Sequence, residues 1–89
     1  MRADLHLYYA PHCPYCRGAA AVVEEAVRAL KLNGPVQERN VVEHLDASVA
    51  AGVRQTPALV LNGRLIAAGR LKPAQLAKTL EKALSEEKG

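Results

Sequence analysis

Several residue types are scarce or absent in this 89-residue chain. It contains no tryptophan, no phenylalanine and a single methionine, so its core must be built chiefly from Ala, Val, Leu and three tyrosines. No apolar run approaches the roughly 18 residues that cross a bilayer. The first residues also lack the apolar stretch of a secretory signal peptide. We therefore expect a cytoplasmic protein with no membrane partner.

The size and charge of the chain are ordinary for a small globular domain. Its length falls within the usual domain range of about 50–250 residues, and 49% of its residues are hydrophobic. Twelve Lys and Arg against nine Asp and Glu give a formal net charge of +3, and the basic residues are scattered along the chain. A nucleic-acid-binding domain concentrates such charge in a patch. We expect one domain, residues 1–89, with no nucleic-acid partner.

Apolar spacing and turn residues divide the chain into seven predicted elements. The predicted strands are residues 3–9, 36–42, 57–61 and 64–68. The predicted helices are residues 14–32, residues 44–51 and a last helix that begins at Pro73. The order β-α-β-α-β-β-α belongs to the α/β class. Because a crossover joins parallel strands and a hairpin joins antiparallel ones, it predicts a four-stranded mixed sheet with helices on both faces.

Turn residues and one apolar stripe support these boundaries. Asn33-Gly34-Pro35 is predicted to end the first helix and Gly52 the second, since glycine tolerates the left-handed cap and proline cannot continue a helix. Asn62-Gly63 indicates a two-residue hairpin turn, in which both central positions need positive φ. In the last helix Leu76, Leu80 and Leu84 recur every four residues, which predicts a buried stripe.

Both cysteines fall in one tetrapeptide, Cys13-Pro14-Tyr15-Cys16. A disulfide-stapled secreted domain spreads its cysteines to close long loops. A bond across so short a loop removes little entropy from the unfolded chain and is a poor staple. The pair is therefore better explained by its chemistry than by stability.

The spacing of the two cysteines suits thiol–disulfide exchange. Residues three apart in the first turn of a helix can bond, with Cα atoms about 5–6 Å apart. Cys13 is expected just before the helix or at its cap, with Pro14 as the first helical residue. There, backbone N–H groups and the helix dipole would lower the thiol pKa from about 8.5. We expect an exposed Cys13 to attack a disulfide and a more shielded Cys16 to release the mixed disulfide.

Two cationic side chains flank the cysteine pair. If His12 or Arg17 points inward, its positive charge would lower the Cys13 pKa further. The alternative is that both are solvated surface residues, because most exposed charges interact weakly.

A Cys-x-x-Cys sequence can also hold metal or haem. Covalent haem requires His directly after the second cysteine, where this chain has Arg17. A structural zinc site requires four ligands, and the remaining candidates are three scattered histidines, His6, His12 and His44. We expect no metal site.

Three segments resemble the thioredoxin superfamily, over roughly residues 3–84. Residues 8–17, Tyr-Tyr-Ala-Pro-His-Cys-Pro-Tyr-Cys-Arg, are similar to the glutaredoxin active site. Residues 53–59, Val-Arg-Gln-Thr-Pro-Ala-Leu, are similar to the loop that carries a cis-proline facing the cysteines. Residues 63–73 are similar to the C-terminal part of very small thioredoxin-like redox proteins.

The resemblance implies a minimal thioredoxin fold and a set of site residues. It implies that Cys13 and Cys16 are catalytic and that the Thr56–Pro57 bond is cis. The backbone of Thr56 would then be able to pair with an extended partner peptide across Cys13. The residues expected to contact the substrate are His12, Tyr15, Thr56 and Pro57, and Arg17 is expected to contribute to the electrostatics of the site.

The chain departs from thioredoxins at two positions. Leu7 stands where thioredoxins carry a buried Asp, and His12 stands where they carry Trp. Cys16 therefore lacks the usual internal proton acceptor, so another group or water must serve.

The chain also departs from glutaredoxins. Ala10 replaces the Lys or Arg that meets the glutathione carboxylate. Residues 68–72, Ala-Gly-Arg-Leu-Lys, contain no acid where glutaredoxins have Gly-Gly followed by Asp. The chain therefore lacks these glutathione-binding residues of glutaredoxins, although Arg54 or Arg70 could replace the missing cation.

These features predict a monomeric dithiol reductase of protein disulfides, which cycles between the Cys13/Cys16 dithiol and disulfide. We expect no tightly bound cofactor and a thioredoxin-reductase-like flavoprotein as electron donor. Glutathione remains open as a co-substrate, so the first alternative is a glutathione-dependent glutaredoxin. The second is a non-enzymatic carrier that holds an iron–sulfur cluster between two protomers.

Overall fold

The structure, a computed structural model, describes residues 4–32 and 36–88. Its elements are β1 Leu5–Tyr9, α1 Ala19–Ala29, β2 Val36–Asn40, α2 Leu45–Ala51, β3 Ala58–Leu61, β4 Arg64–Ala68 and α3 Pro73–Lys88. The predicted order β-α-β-α-β-β-α is confirmed. Residue 3 of the first predicted strand and the predicted stop at Asn33-Gly34-Pro35 lie outside the described residues.

The four strands form one mixed sheet in the order β2-β1-β3-β4. β1 pairs with β2 in parallel, with Leu5 opposite Val36. β1 pairs with β3, and β3 with β4, in the antiparallel sense. The α1 crossover therefore joins parallel strands and the hairpin joins antiparallel ones, as predicted.

The sheet is covered on both faces, which explains why β3 is apolar throughout. All four of its residues, Ala58–Leu61, are buried, the pattern expected of a strand packed on both sides. On one face α1 and α3 pack in a cluster that includes Leu5, Leu59, Val23 and Leu80. The predicted α3 stripe belongs to this cluster, since Leu76, Leu80 and Leu84 are all buried.

A smaller cluster lies on the opposite face of the sheet. Tyr8, Ala58 and Val60 are buried there. Half-buried apolar residues pack against them, including Ala51 of α2 and Val53 just after it. Helices therefore contribute to both faces of the sheet, as predicted.

The first helix is shorter than the predicted 14–32. It begins at Ala19 because Gly18 adopts a left-handed conformation, φ 80°, which a right-handed helix cannot include. At the other end Lys31 is left-handed, with φ 54°. The prediction that Pro14 is the first helical residue is therefore wrong.

The other boundaries differ from the predictions by two residues or fewer. Gly52 closes α2 in a left-handed conformation, with φ 87°. Asn62 and Gly63 both have positive φ in the turn between β3 and β4, so the predicted hairpin is confirmed. β2 ends at Asn40, whose side-chain oxygen accepts a hydrogen bond from the Val42 N–H at 2.8 Å and turns the chain out of the sheet.

Candidate active site

Three loops meet at one end of the sheet because of the strand directions. Tyr8, near the end of β1, lies opposite Ala58 at the start of β3. Ala58 in turn lies opposite Ala68 at the end of β4. The loop after β1, residues 10–18, carries both cysteines and is called the cysteine loop. It is therefore a neighbour of the loop before β3, residues 52–57 (the second or proline loop), and of the loop after β4, residues 69–72 (the third loop).

Cys13 and Cys16 are joined by a disulfide, with their Cα atoms 5.3 Å apart. The predicted proximity of the pair is confirmed. Turns rather than a helix produce it. The Cys13 N–H donates to the Ala10 carbonyl at 3.4 Å, the Cys16 N–H to the Cys13 carbonyl at 3.4 Å, and the Ala19 N–H to the Cys16 carbonyl at 3.1 Å.

The start of α1 lies farther from Cys13 than predicted. Gly18 rather than Cys13 is the N-cap, so the helix begins six residues beyond the first cysteine. The influence of a helix dipole is confined largely to its terminal turn. This geometry therefore does not support the prediction that the first-turn N–H groups and the dipole of α1 stabilise a Cys13 thiolate. Non-helical turns separate Cys13 from α1, which begins only after the left-handed Gly18.

Cys13 makes the contact that distinguishes it from Cys16. Its sulfur lies 3.4 Å from the backbone carbonyl oxygen of Thr56, in the loop before β3. When Cys13 is reduced, its S–H can donate to that oxygen. Both cysteines are half-buried, so the predicted difference in exposure does not separate them.

The residues next to this contact are those that the superfamily resemblance indicated. The Thr56–Pro57 peptide bond is cis, as the resemblance implied. Thr56 is half-buried, and the side chain of Pro57 is fully buried at the start of β3. Thr56 and Pro57 therefore lie beside Cys13, and their contact with a substrate remains a prediction.

The loop after β4 is attached to the proline loop. The Gly69 N–H donates to the Pro57 carbonyl at 2.9 Å. Gly69 has φ 82°, and a Cβ atom there would stand 3.4 Å from the side-chain oxygen of Gln55. Glycine is strongly favoured in this backbone conformation, and the bond fixes the loop after β4 against the loop before β3.

A contact between Tyr15 and Arg70 joins the third loop to the cysteine loop. The Tyr15 ring is 54% exposed, and the Arg70 guanidinium carbon Cζ lies 5.9 Å from its centre. That distance is within the range of cation–π attraction. The sequence indicated Arg70 only as a replacement cation for glutathione, because no local pattern links two positions 55 residues apart.

His12 and Arg17 lie at the surface of the cysteine loop. Both are exposed, and His12 has a left-handed backbone, with φ 66°. Within residues 4–32 and 36–86 no ion pair or hydrogen bond holds either side chain against Cys13. The geometry therefore favours the alternative of solvated surface residues, and their roles at the site remain predictions.

The position at which thioredoxins carry a buried acid is apolar in this chain. Leu7 is buried in the larger core cluster. Ser48 is the only polar residue that is buried in the described part of the chain, so no buried carboxylate there can take the Cys16 proton.

No three His, Cys, Asp or Glu side chains among the described residues are grouped to hold a metal ion. Over the same residues, no helix is long and apolar enough to span a membrane.

Comparison with known proteins identifies relatives that match most of the chain. It is 28% identical over 83 residues to a thioredoxin of Methanocaldococcus jannaschii, covering 93% of this chain and 98% of that one. It is 32% identical over 81 residues to a probable thioredoxin of Archaeoglobus fulgidus, covering 88% and 86%. A solved structure of a mutant thioredoxin from Halobacterium salinarum superimposes with a TM-score of 0.72 at 27% identity, covering 90% and 73%.

A family model described as "Thioredoxin domain" matches residues 4–84. That span contains every strand and all three loops of the candidate site, including the disulfide-bonded Cys13 and Cys16. The chain belongs to the thioredoxin family.

Proposed function

We propose that the protein is a thiol–disulfide oxidoreductase that reduces protein disulfides by cycling Cys13 and Cys16 between dithiol and disulfide. The observation that carries this proposal is the position of the Cys pair. Its half-buried disulfide lies in the loop after β1 at one end of the sheet, and the Cys13 sulfur lies 3.4 Å from the Thr56 carbonyl. Membership of the thioredoxin family supports the same conclusion.

The proposed cycle transfers two electrons. The Cys13 thiolate attacks one sulfur of the partner disulfide, which forms a mixed disulfide and releases the other partner sulfur as a thiolate. The Cys16 thiolate then attacks the Cys13 sulfur, which closes the Cys13–Cys16 disulfide and releases the second partner thiolate. The two protons lost by the cysteines end on the two partner thiols. Since no carboxylate is buried among the described residues, we assign water as the proton acceptor of Cys16.

The backbone of Thr56 is the proposed guide for the partner chain. Its carbonyl lies beside the Cys13 sulfur. An extended peptide can pair with exposed main-chain groups of this kind as an added strand. Such pairing would hold a partner disulfide in front of Cys13 without requiring a particular side chain.

The proposed electron donor is a thioredoxin-reductase-like flavoprotein, and the proposed compartment is the cytoplasm. Disulfides that form transiently in the cytoplasm are usually catalytic. Glutathione is the second candidate donor. The observation that favours it is Arg70, whose guanidinium lies over Tyr15 of the Cys-Pro-Tyr-Cys sequence and supplies a cation there.

Insulin reduction tests the proposed activity and separates the donors. With dithiothreitol as chemical donor, we expect the wild type to accelerate the reduction of insulin and Cys13→Ser to give only the rate of dithiothreitol alone. Full activity of Cys13→Ser would contradict the proposal.

NADPH oxidation then identifies the donor. We expect turnover with a thioredoxin reductase of the flavoprotein class, and little with glutathione and glutathione reductase. The opposite result would assign the protein to the glutathione-dependent alternative.

A further inference from the structure

The third loop places a cation beside the cysteine pair in a defined position. Arg70 follows Gly69, whose N–H bonds to the Pro57 carbonyl. Pro57 follows Thr56, whose carbonyl contacts the Cys13 sulfur. The Arg70 guanidinium carbon lies over the Tyr15 ring, 5.9 Å from the ring centre. In the sequence, Tyr15 stands between the two cysteines. Arg70 therefore lies alongside the backbone segment that the partner chain is proposed to follow.

The Tyr15 ring restricts where the Arg70 charge can be. An exposed Arg side chain normally samples many rotamers, and fixing it costs conformational entropy. The attraction between the guanidinium and the face of the ring offsets part of that cost. A partner that pairs with Arg70 therefore meets a side chain that is already positioned.

The charge of Arg70 is not neutralised within the described residues. Their ion pairs are His6 with Asp4 and Arg64 with Glu86, and neither involves Arg70. Arg70 is exposed. It also borders a surface depression of about 220 Å³ that Lys72 and Gln75 line as well.

We propose that Arg70, held over Tyr15, is a specificity-determining residue that favours protein partners with an Asp or Glu beside their reactive disulfide. The proposal rests on the proposed disulfide reductase function and names the substrate class of that same site. A carboxylate beside the partner disulfide would pair with Arg70 while the partner backbone pairs with Thr56.

Two synthetic peptide disulfides provide the test. They are identical except that Asp residues flank the cysteines in one and Asn residues in the other. The measured quantity is the ratio of kcat/KM for the acidic peptide to that for the neutral one. Comparing this ratio between wild type and variants cancels the intrinsic difference in reactivity between the two peptides.

We expect that removing the positive charge of Arg70 lowers the preference for the acidic peptide. Because an exposed ion pair changes binding only modestly, Arg70→Ala should lower the ratio by roughly 1.5- to 5-fold. Arg70→Glu should lower it further. Tyr15→Phe should keep the wild-type ratio because the ring remains, whereas Tyr15→Leu should lower it. The wild-type ratio should also fall as salt is added.

Arg28→Ala is the matched control. Arg28 is exposed in the last turn of α1, nine residues or about 13 Å of helix beyond Ala19. Arg28→Ala should leave the ratio unchanged, although it alters the net charge by the same amount as Arg70→Ala. An equal effect of Arg28→Ala would overturn the proposal in favour of general charge.

The outcomes separate this proposal from the function on which it rests. If the wild type reduces neither peptide, the proposed function has failed. If it reduces both and Arg70→Ala keeps the wild-type ratio, only the role of Arg70 has failed. Oxidised glutathione, which also bears carboxylates, is run in parallel. An Arg70 effect on glutathione alone, with an unchanged peptide ratio, would overturn the proposed preference for protein partners.

Discussion

Cys13 and Cys16 differ in their surroundings by one contact. The Thr56 carbonyl lies against the Cys13 sulfur, so a partner chain that pairs with Thr56 presents its disulfide to Cys13. The two cysteines are similarly half-buried. The assignment of Cys13 as attacking thiol and Cys16 as resolving thiol therefore rests on position relative to the proline loop rather than on exposure.

Single serine substitutions should separate the two roles. Cys16→Ser retains the attacking thiol but lacks the group that resolves the mixed disulfide. Incubation with a disulfide-bonded protein should therefore trap a covalent complex, detected by intact mass without reductant. Cys13→Ser is the matched control and should trap little. More complex with Cys13→Ser than with Cys16→Ser would reverse the assignment.

Two glycines of similar conformation provide a second comparison. Gly63 and Gly69 have φ of 84° and 82°, so alanine at either should destabilise the fold by about 1–2 kcal/mol. Only Gly69 bonds to Pro57 beside the cysteines. Urea unfolding should show similar losses for both variants, whereas insulin reduction should fall several-fold only for Gly69→Ala. Equal activity of the two variants would show that the left-handed conformation of Gly69, which aligns its N–H with the Pro57 carbonyl, does not position the site.

At the residue scale, the sequence predicted what depends on short spacing. The separation of three residues was enough to predict the proximity of Cys13 and Cys16. The cis bond before Pro57 followed from the family resemblance. The stacking of Arg70 on Tyr15 could not be predicted in this way, since it depends on how two loops far apart in sequence approach each other.

Among the elements, α1 shows what apolar periodicity can and cannot determine. The spacing identified α1 as a helix, and its apolar residues Val23 and Ala26 are buried in the core. The predicted start failed because apolar spacing contains no information on the backbone of Gly18, whose left-handed conformation delays the helix. The consequence for function is that turns, rather than the first turn of α1, surround the cysteines.

The last helix should be sensitive to truncation of its apolar stripe. Leu80 is completely buried between the sheet and α1, so Leu80→Ala should lower the free energy of unfolding by about 2–5 kcal/mol. Lys78→Ala, at an exposed position of α3, should change it by less than about 0.5 kcal/mol. Urea unfolding of both variants measures the difference. Similar losses would contradict the assigned packing of α3.

For the molecule as a whole, the order of strands and helices along the chain predicted the strand directions in the sheet well. The crossover and the Asn62-Gly63 hairpin leave few arrangements of four strands, and the observed four-stranded mixed sheet has the predicted parallel and antiparallel pairs. The described chain has a radius of gyration of 12.0 Å, close to the roughly 12 Å expected of a compact chain of this length. What chain order could not supply is the shape of the three loops, because it depends on contacts between them, such as Gly69 with Pro57 and Arg70 with Tyr15.

We predict a monomer. The proposed cycle needs only the two cysteines of one chain, whereas the iron–sulfur alternative needs two protomers. Light scattering after size exclusion should give a mass near 9.6 kDa, and anaerobically purified protein should be colourless. A mass twice as large together with visible absorbance would favour the cluster carrier.

The most direct test of the central claim is a redox titration of the Cys pair. The protein is equilibrated in buffers of graded reduced and oxidised glutathione, quenched with an alkylating reagent and weighed by intact mass spectrometry. We predict one two-electron transition, in which molecules carry either two alkyl groups or none because Cys13 and Cys16 convert together. Accumulation of singly alkylated or stably glutathionylated protein across the titration would contradict a paired dithiol–disulfide centre.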